Sequence, residues 1–394
     1  MKKKLFALMM TLVMVAGLTA CGGGKEESPA PGNAEQPSAP SAEGAVFKLG
    51  TIGPLTGDAA IYGQAVANGA KIAVDEINAS DSAVKFELQS EDDINDGETS
   101  INAYNNLMDW GMQVMVGPTT TGPSVAVAAQ AGSDRTFMLT PSASSADVTA
   151  GKDNVFQVCF TDPNQGVSSA DYMAENMADA KIAVIYRNDD SYSQGIRDTF
   201  VAEAGAKGLD VVYEGTFTND TATDFSVQLT AAQAAGANTV FMPIYYQPAS
   251  VILTQAAAMN YAPTFFGVDG MDGILTLEGF DTSLAEGLML LTPFSATLEE
   301  NKSFVEAYEA QFGVTPNQFA ADAYDGVYIM KAALEAAGCT SDMSSTDICE
   351  ALVPVMPTLT YSGLTGKDMT WSVNGEVSKA PTAFVIKDGL YVTP

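Results

Sequence analysis

Hydroxyl, phenol and carboxylate side chains recur directly after short apolar runs in this sequence. Tyr62 lies in GPLTGDAAIYGQ (53–64), Thr121 in PTTTGPS (118–124), and Ser142 and Ser144 in PSASS (141–145). In the second half, Tyr192 lies in RNDDSYSQG (187–195), Tyr245 in IYYQP (244–248) and Asp269 in VDGMDG (268–273). Pro123 fits the first turn of a helix, where its missing N–H costs nothing. That places Gly122 near the cap and leaves the Thr121 hydroxyl beside exposed helix N–H groups. Such an arrangement attracts a carboxylate without any arginine. Asp269, in the opposite half, has the charge to pair with an ammonium. The tyrosines offer apolar faces with hydroxyl donors. Together these groups describe a cradle for a zwitterion, an α-amino acid. The plain alternative is that each Ser or Thr is an ordinary N-cap and each Tyr ordinary packing. What weighs against it is the repetition of such groups at strand ends in both halves.

Other chemistries are excluded by composition. The chain has 394 residues and no histidine, so Ser-His-Asp and Cys-His catalysis and the HExxH zinc motif are ruled out. No GxxxxGK[ST] loop and no GxGxxG opening a helix is present, which argues against nucleotide and dinucleotide cofactors. The acidic run EDDIND (91–96) fails as a calcium loop. With Gly97 as the sixth position, Ile94 falls third and Ala103 twelfth, and neither can ligate. These acids instead suit the N-terminus of a helix starting near Gly97. Net charge is −30, and −33 without the three lysines of the N-terminus. Only Arg135, Arg187 and Arg197 carry guanidinium groups, so nucleic acid is a poor partner.

From residue 46 onward, short apolar strands alternate with amphipathic helices. Strands are expected at 46–52, 84–89, 113–117, 136–140, 181–186, 209–215, 237–244, 262–268 and 286–294. Helices are expected at 59–79, 97–110, 165–178, 194–206, 225–235, 248–259, 299–312 and 318–337. This alternation means βαβ units in parallel sheets. About 350 residues exceed one ordinary core, so two doubly wound α/β lobes are expected. In such sheets ligands bind beyond the carboxyl ends of the strands. The closing segment 370–392 reads as a strand pair turning at Asn374-Gly375.

Residues 1–20 read as a secretory signal peptide: three lysines, an apolar run and small residues. LTAC (18–21) has the form of a lipobox, which would make Cys21 the lipidated first residue of the mature chain. Residues 21–44 lack large apolar side chains and read as a flexible linker. Cys339 and Cys349 flank a short polar loop and would either pair in an oxidising compartment or stay free thiols. Cys159 falls in an apolar strand, FQVCF, as a buried thiol.

Read in order, several stretches resemble the solute-binding lipoproteins of branched-chain amino acid ABC transporters, the Leu/Ile/Val-binding type. They include LGTIGPLTGDAAIYGQAVANGAKIAVDEIN (49–78), SEDDIND (90–96), VMVGPTTTG (114–122), LTPSASS (139–145) and FTDPNQG (160–166). DDSYSQG (189–195) and FAADAYDGVYIMKAALEAAG (319–338) continue the pattern. The resemblance implies the type I periplasmic binding protein fold, with two Rossmann-like lobes joined by a three-crossing hinge. It puts the crossings near 163, 293 and 360, with lobe 1 as 45–163 plus 294–360 and lobe 2 as 164–293 plus 361–394.

It further implies that Thr121, Ser142 and Ser144 hold the ligand's carboxylate and ammonium from lobe 1. Tyr62 would stand at the mouth of the cleft. Tyr192 and Tyr245 would be aromatics of lobe 2, and Asp269 would pair with the ammonium, often the task of a Glu. Tyr246 competes with Tyr245 for one of these places. Some relatives carry a disulfide where Asn95 and Thr120 stand here. The implied protein is an extracytoplasmic monomer, anchored through Cys21, without enzymatic activity, cofactor or metal. It would deliver an aliphatic L-amino acid to an ABC permease. A same-fold receptor for an amide, aromatic acid or short peptide, a sensor without transport, and a hydrolase built on the PTTTG hydroxyls are the rival expectations.

Overall fold

The computed structural model describes residues 45–394. The expectations for the signal peptide, the linker and Cys21 lie outside the described residues. The chain opens with β1 (Ala45–Gly53), α1 (Ala60–Ala79), β2 (Val84–Asp92), α2 (Gly97–Trp110), β3 (Val114–Val116) and α3 (Thr121–Asp134). Next come β4 (Phe137–Thr140), α4 (Ala146–Thr149) and β5 (Val155–Gln157). These strands form one parallel sheet in the order β2-β1-β3-β4-β5.

The alternation of side chains across this sheet sets its two helical layers. Val114, Val116, Phe137 and Leu139 join the cluster that holds the inner faces of α1 and α10 (Gln318–Ala337). Met115 and Met138, one residue out of phase, join Leu107 of α2 and Val127, Ala128 and Ala131 of α3. With both faces covered, the central strands are apolar throughout and read as continuous runs.

The second set comprises α5 (Asp162–Asn176), β6 (Lys181–Arg187), α6 (Ser191–Lys207), β7 (Asp210–Phe217), α7 (Ser226–Ala234), β8 (Thr239–Met242), α8 (Tyr246–Ala258), β9 (Thr264–Gly267) and β10 (Met289–Thr292). Its sheet repeats the first topology as β7-β6-β8-β9-β10 and adds an antiparallel hairpin, β13 (Thr382–Lys387) and β14 (Leu390–Val392), beyond β10. Between β10 and that hairpin run α9 (Lys302–Phe312), α10, α11 (Ser345–Val355) and the short pair β11 (Thr360–Tyr361) and β12 (Met369–Thr370). In both sheets the strand order reverses beside the first strand, at β1/β3 and at β6/β8. Crevices form at such switch points.

Helices α5 and α6 start three residues earlier than the apolar spacing suggests. Their first turns are polar and are fixed by caps, Thr161 accepting from Asn164 N and Asp190 accepting from Ser193 N. The closing segment also differs. Asn374-Gly375 turns only an isolated bridge between Trp371 and Val377. The strand pair proper turns at Asp388-Gly389, with φ of 52° and 74°, both left-handed as a two-residue type I′ hairpin requires. Cys159 follows β5 rather than lying in it, and is buried. Cys339 and Cys349 are both free, the latter buried.

The third crossing also falls elsewhere. Segment 361–379 stays with the first sheet: Trp371 Nε1 donates to Gln157 O (2.8 Å), and Gln157 N donates to Gly375 O (2.9 Å). Asp325 of α10 accepts from the Leu364 and Thr365 amides at 3.0 and 2.9 Å. The chain therefore passes to the second sheet after Lys379, not near 360. Lys379 sits at that point with Nζ 2.6 Å from Asp322, 2.7 Å from Thr365 Oγ1 and 3.2 Å from Val158 O. Both charged side chains are 1% exposed. Breaking a buried pair from one side strands the other charge, at about 3–5 kcal/mol. Lys379→Met is expected to lose that much in denaturant unfolding, and adding Asp322→Leu to recover most of it.

Candidate ligand site

Each switch point delivers side chains to the gap between the sheets. After β1, the start of α1 brings in Tyr62, which is 1% exposed. Its hydroxyl donates to Gly270 O at 2.5 Å and accepts from Tyr246 N at 3.2 Å, both in the second lobe. Its ring meets Tyr245 and Tyr246 edge-on, with centroids 5.2 and 4.8 Å away, and Phe319 at 4.3 Å. Tyr62 is thus a buried bridge across the seam rather than a residue of the mouth.

After β3 comes the threonine run, in which the three residues divide their tasks. Thr119 Oγ1 donates to Ile52 O (3.1 Å) and ties the loop to β1. Thr120 is the N-cap of α3, yet its side chain caps nothing, and its buried Oγ1 has no hydrogen-bond partner. Thr121 is the first helical residue and is 1% exposed. The cap therefore lies at Thr120, two residues before Gly122, with Pro123 still inside the first turn. After β4, Ser142 Oγ donates to Thr119 O at 2.6 Å, which commits its proton to the loop. Ser144 is buried, with an unpartnered Oγ.

The second lobe contributes Tyr192, Tyr245 and Asp269. Asp269 follows β9 and is 3% exposed. Tyr192 donates to its Oδ1 at 2.6 Å, and the same phenol oxygen accepts from Gly270 N at 3.0 Å. Asp269's own backbone is held by Gln165 and Gln318, at 3.3 and 3.2 Å. Burial pushes the Asp269 carboxyl up to about 7, against the hydrogen bond from Tyr192 that favours the ionised form. Tyr245 lies over Tyr192, with centroids 5.0 Å apart. Tyr246 points the other way and donates to Asp58 O of the first lobe (2.7 Å).

A small cavity gathers Tyr62, Thr121, Ser142, Tyr192, Tyr245 and Asp269. Ser144 is not among its lining residues. Thr119, Thr120, Gly270 and Phe319 complete the lining. None of these four stands out in the sequence. Thr119 and Thr120 share the loop of Thr121, and no spacing distinguishes the three hydroxyls. Gly270 has no side chain to mark it beside Asp269. Phe319 opens a long apolar helix far along the chain and reads as core. Tyr245 also lines a wider hollow of about 210 Å³, together with Asp58, Asn95, Arg187, Asp190 and Gln247, among others.

The acidic run works as turn chemistry. Asp92 accepts from the Leu55 and Ile94 amides (2.8 and 2.9 Å), and Asp96 caps α2 by accepting from Thr99 N (2.8 Å). Among the described residues, no cluster of three or more His, Cys, Asp or Glu side chains is placed to hold a metal.

The chain matches the periplasmic binding protein family over residues 46–389. It is 31% identical over 343 residues to Leu/Ile/Val-binding protein homolog 3 of Brucella melitensis, which covers 86% of this chain and 90% of that protein. Among solved structures it is similar to the branched-chain amino acid transporter substrate binding protein LivJ of Streptococcus pneumoniae in complex with isoleucine. That match has 28% identity and a TM-score of 0.77, and covers 89% of this chain and 100% of the other. The leucine binding protein LivK of Thermotoga maritima matches at 26% identity and a TM-score of 0.77, over 88% and 97% of the two chains.

Proposed function

This chain belongs to the periplasmic binding protein family, in its two-lobed type I form, and from that premise we propose that its interlobe cavity takes an aliphatic L-amino acid. The observation that carries the reading is the pairing of opposites across one small cavity. On one wall stands the start of α3, with the unpartnered Thr120 hydroxyl and Thr121. On the other stands Asp269, a buried carboxyl whose hydrogen bond to Tyr192 involves no cation. A ligand carboxylate satisfies the first wall through helix N–H groups and hydroxyls. A ligand ammonium satisfies the second. Tyr62, Tyr245 and Phe319 leave apolar ring faces for an aliphatic side chain.

The lobes close on the ligand as a hinge motion about the three crossings. The closed form is delivered to an ABC permease, and the chain is held at the outer face of the membrane through a lipid on Cys21. The protein binds its ligand without altering it. The branched-chain relatives named above support this ligand class.

Isothermal titration tests it, using protein refolded from denaturant to strip bound ligand. The panel is Leu, Ile, Val, Ala, Phe, Gly, one amide and benzoate. Micromolar or tighter binding of one aliphatic amino acid, one per chain, is the expected result. Binding of benzoate or the amide alone would overturn the ligand class.

A further inference from the structure

Besides Asp269, a further carboxyl of the first crossing is buried and has no part in the cavity lining. Asp162 is the first residue of α5, at the first crossing between the lobes, and is 1% exposed. Neither of its carboxyl oxygens has a hydrogen-bond partner. It does not serve its own helix, because the cap is Thr161, which accepts from Asn164 N. On one side it meets the bare Cα of Gly195, where an added Cβ would lie 3.2 Å from Oδ2. Its backbone N donates to Ser144 O at 2.9 Å. Ser144 Oγ is equally buried and equally unpartnered. Two orphaned groups, a hydroxyl and a carboxyl, thus stand side by side, with Ser144 only two residues along the chain from Ser142 of the cavity lining.

We propose that Asp162 is a positioning residue of the binding site: it accepts a hydrogen bond from the Ser144 hydroxyl and so turns the Ser144 lone pairs toward the ligand's ammonium. A serine hydroxyl has one proton to give and two lone pairs to offer. Once the proton is spent on Asp162, Ser144 can only accept, and an ammonium is favoured over a carboxylate at that spot. The inference rests on the amino-acid reading of the cavity. Burial and the neighbouring Asp269, Asp190 and Asp147 push the Asp162 carboxyl up, and among the groups acting most strongly on it only the Ser144 hydroxyl acts the other way, as a hydrogen-bond donor to it would. An incoming cation is what this cluster lacks.

The test is a double-mutant cycle in the full protein, with L-leucine as the probe in isothermal titration. Asp162→Asn keeps the shape but presents an amide N–H to Ser144 Oγ, turning the hydroxyl proton toward the ligand. Asp162→Asn and Ser144→Ala are each expected to weaken L-leucine at least tenfold, and the double variant no more than the weaker single, because the pair acts as one unit. The thermal midpoint of ligand-free Asp162→Asn should equal or exceed that of the wild type, which separates positioning from folding. A dissociation constant within twofold of the wild type for Asp162→Asn, or strictly additive losses, overturns the proposal. If the wild type binds no amino acid, the amino-acid reading has failed. The Asp162–Ser144 contact is then judged by carboxyl-carbon NMR of the ligand-free protein. A higher Asp162 titration midpoint in Ser144→Ala keeps the contact, and an unchanged midpoint overturns it.

Discussion

Asp269→Asn is expected to weaken binding of the preferred amino acid by about 100-fold or more. The carboxyl is buried and its one charged partner would be the ligand ammonium. Removing one side of a buried, hydrogen-bonded charge pair costs about 2–5 kcal/mol, and each 1.4 kcal/mol is a factor of ten. The variant keeps the size of the side chain and a hydrogen-bond acceptor for the Tyr192 hydroxyl, so geometry is preserved while charge is lost. The pH dependence separates this from a packing defect. Asp269 holds its proton up to about pH 7 in the folded protein. Binding an ammonium requires that proton to leave. Affinity should therefore be level above about pH 7.5 and fall by up to tenfold per unit below about pH 7. In Asp269→Asn the slope should vanish.

The same residue makes a stability prediction of opposite sign. Its folded pKa of about 7 lies above the ordinary 3.8. The unfolded chain thus releases this proton near pH 4, while the folded, ligand-free protein keeps it until about pH 7. Stability from this group is greatest below pH 4, declines from there to pH 7 and is level above. The loss integrates to about 4 kcal/mol. Asp269→Asn should consequently stabilise the ligand-free protein at pH 8 while impairing binding. Urea unfolding of both proteins at pH 5 and pH 8 reads this directly, and the gap between them should be larger at pH 8.

Tyr62→Phe is expected to weaken binding by about 10- to 100-fold with little change in the stability of either lobe. The hydroxyl is shared between Gly270 O and Tyr246 N across the seam. Without it both backbone groups are buried unpaired whenever the lobes are closed, at about 1–3 kcal/mol each. The open form satisfies them with water. The loss should therefore appear as a shift toward the open form and as faster ligand release. Small-angle scattering of the ligand-free variant should give a larger radius of gyration than the wild type. Tyr246→Phe should do less, because its bond to Asp58 O lies at a partly exposed edge.

The sequence made the strand and helix pattern legible because both sheets are covered on both faces. Short apolar runs such as VMV and FMLT, set between amphipathic helices, leave few other arrangements. The strand-end rule then pointed to Tyr62, Thr121, Ser142, Ser144, Tyr192, Tyr245 and Asp269 by position alone, and the structure brings all of them but Ser144 to one cavity. What stayed illegible depends on where side chains point. Nothing in PTTTG tells that Thr119 faces Ile52 while Thr120 is left without a partner. Tyr245 and Tyr246 differ by one residue, and only the start of α8 decides which ring meets Tyr192. Segment 361–379 has no strong periodicity. Its place beside the first sheet is decided by the Asp325 and Lys379 hydrogen bonds, which form across long sequence separations. Asp162 lies ahead of the helix expected at 165–178, and only its burial beside Ser144 sets it apart.

The zwitterion cradle is tested most directly by taking its ligand apart. L-leucine, 4-methylpentanoate and 3-methylbutylamine share one aliphatic side chain and carry, respectively, both charges, the carboxylate alone and the ammonium alone. Titrated in parallel at pH 8, only L-leucine should bind well, with each analogue at least about 100-fold weaker, because each leaves one wall of the cavity unpaired. If 4-methylpentanoate bound as tightly as L-leucine, Asp269 would not be holding an ammonium, and the account of the site would be wrong.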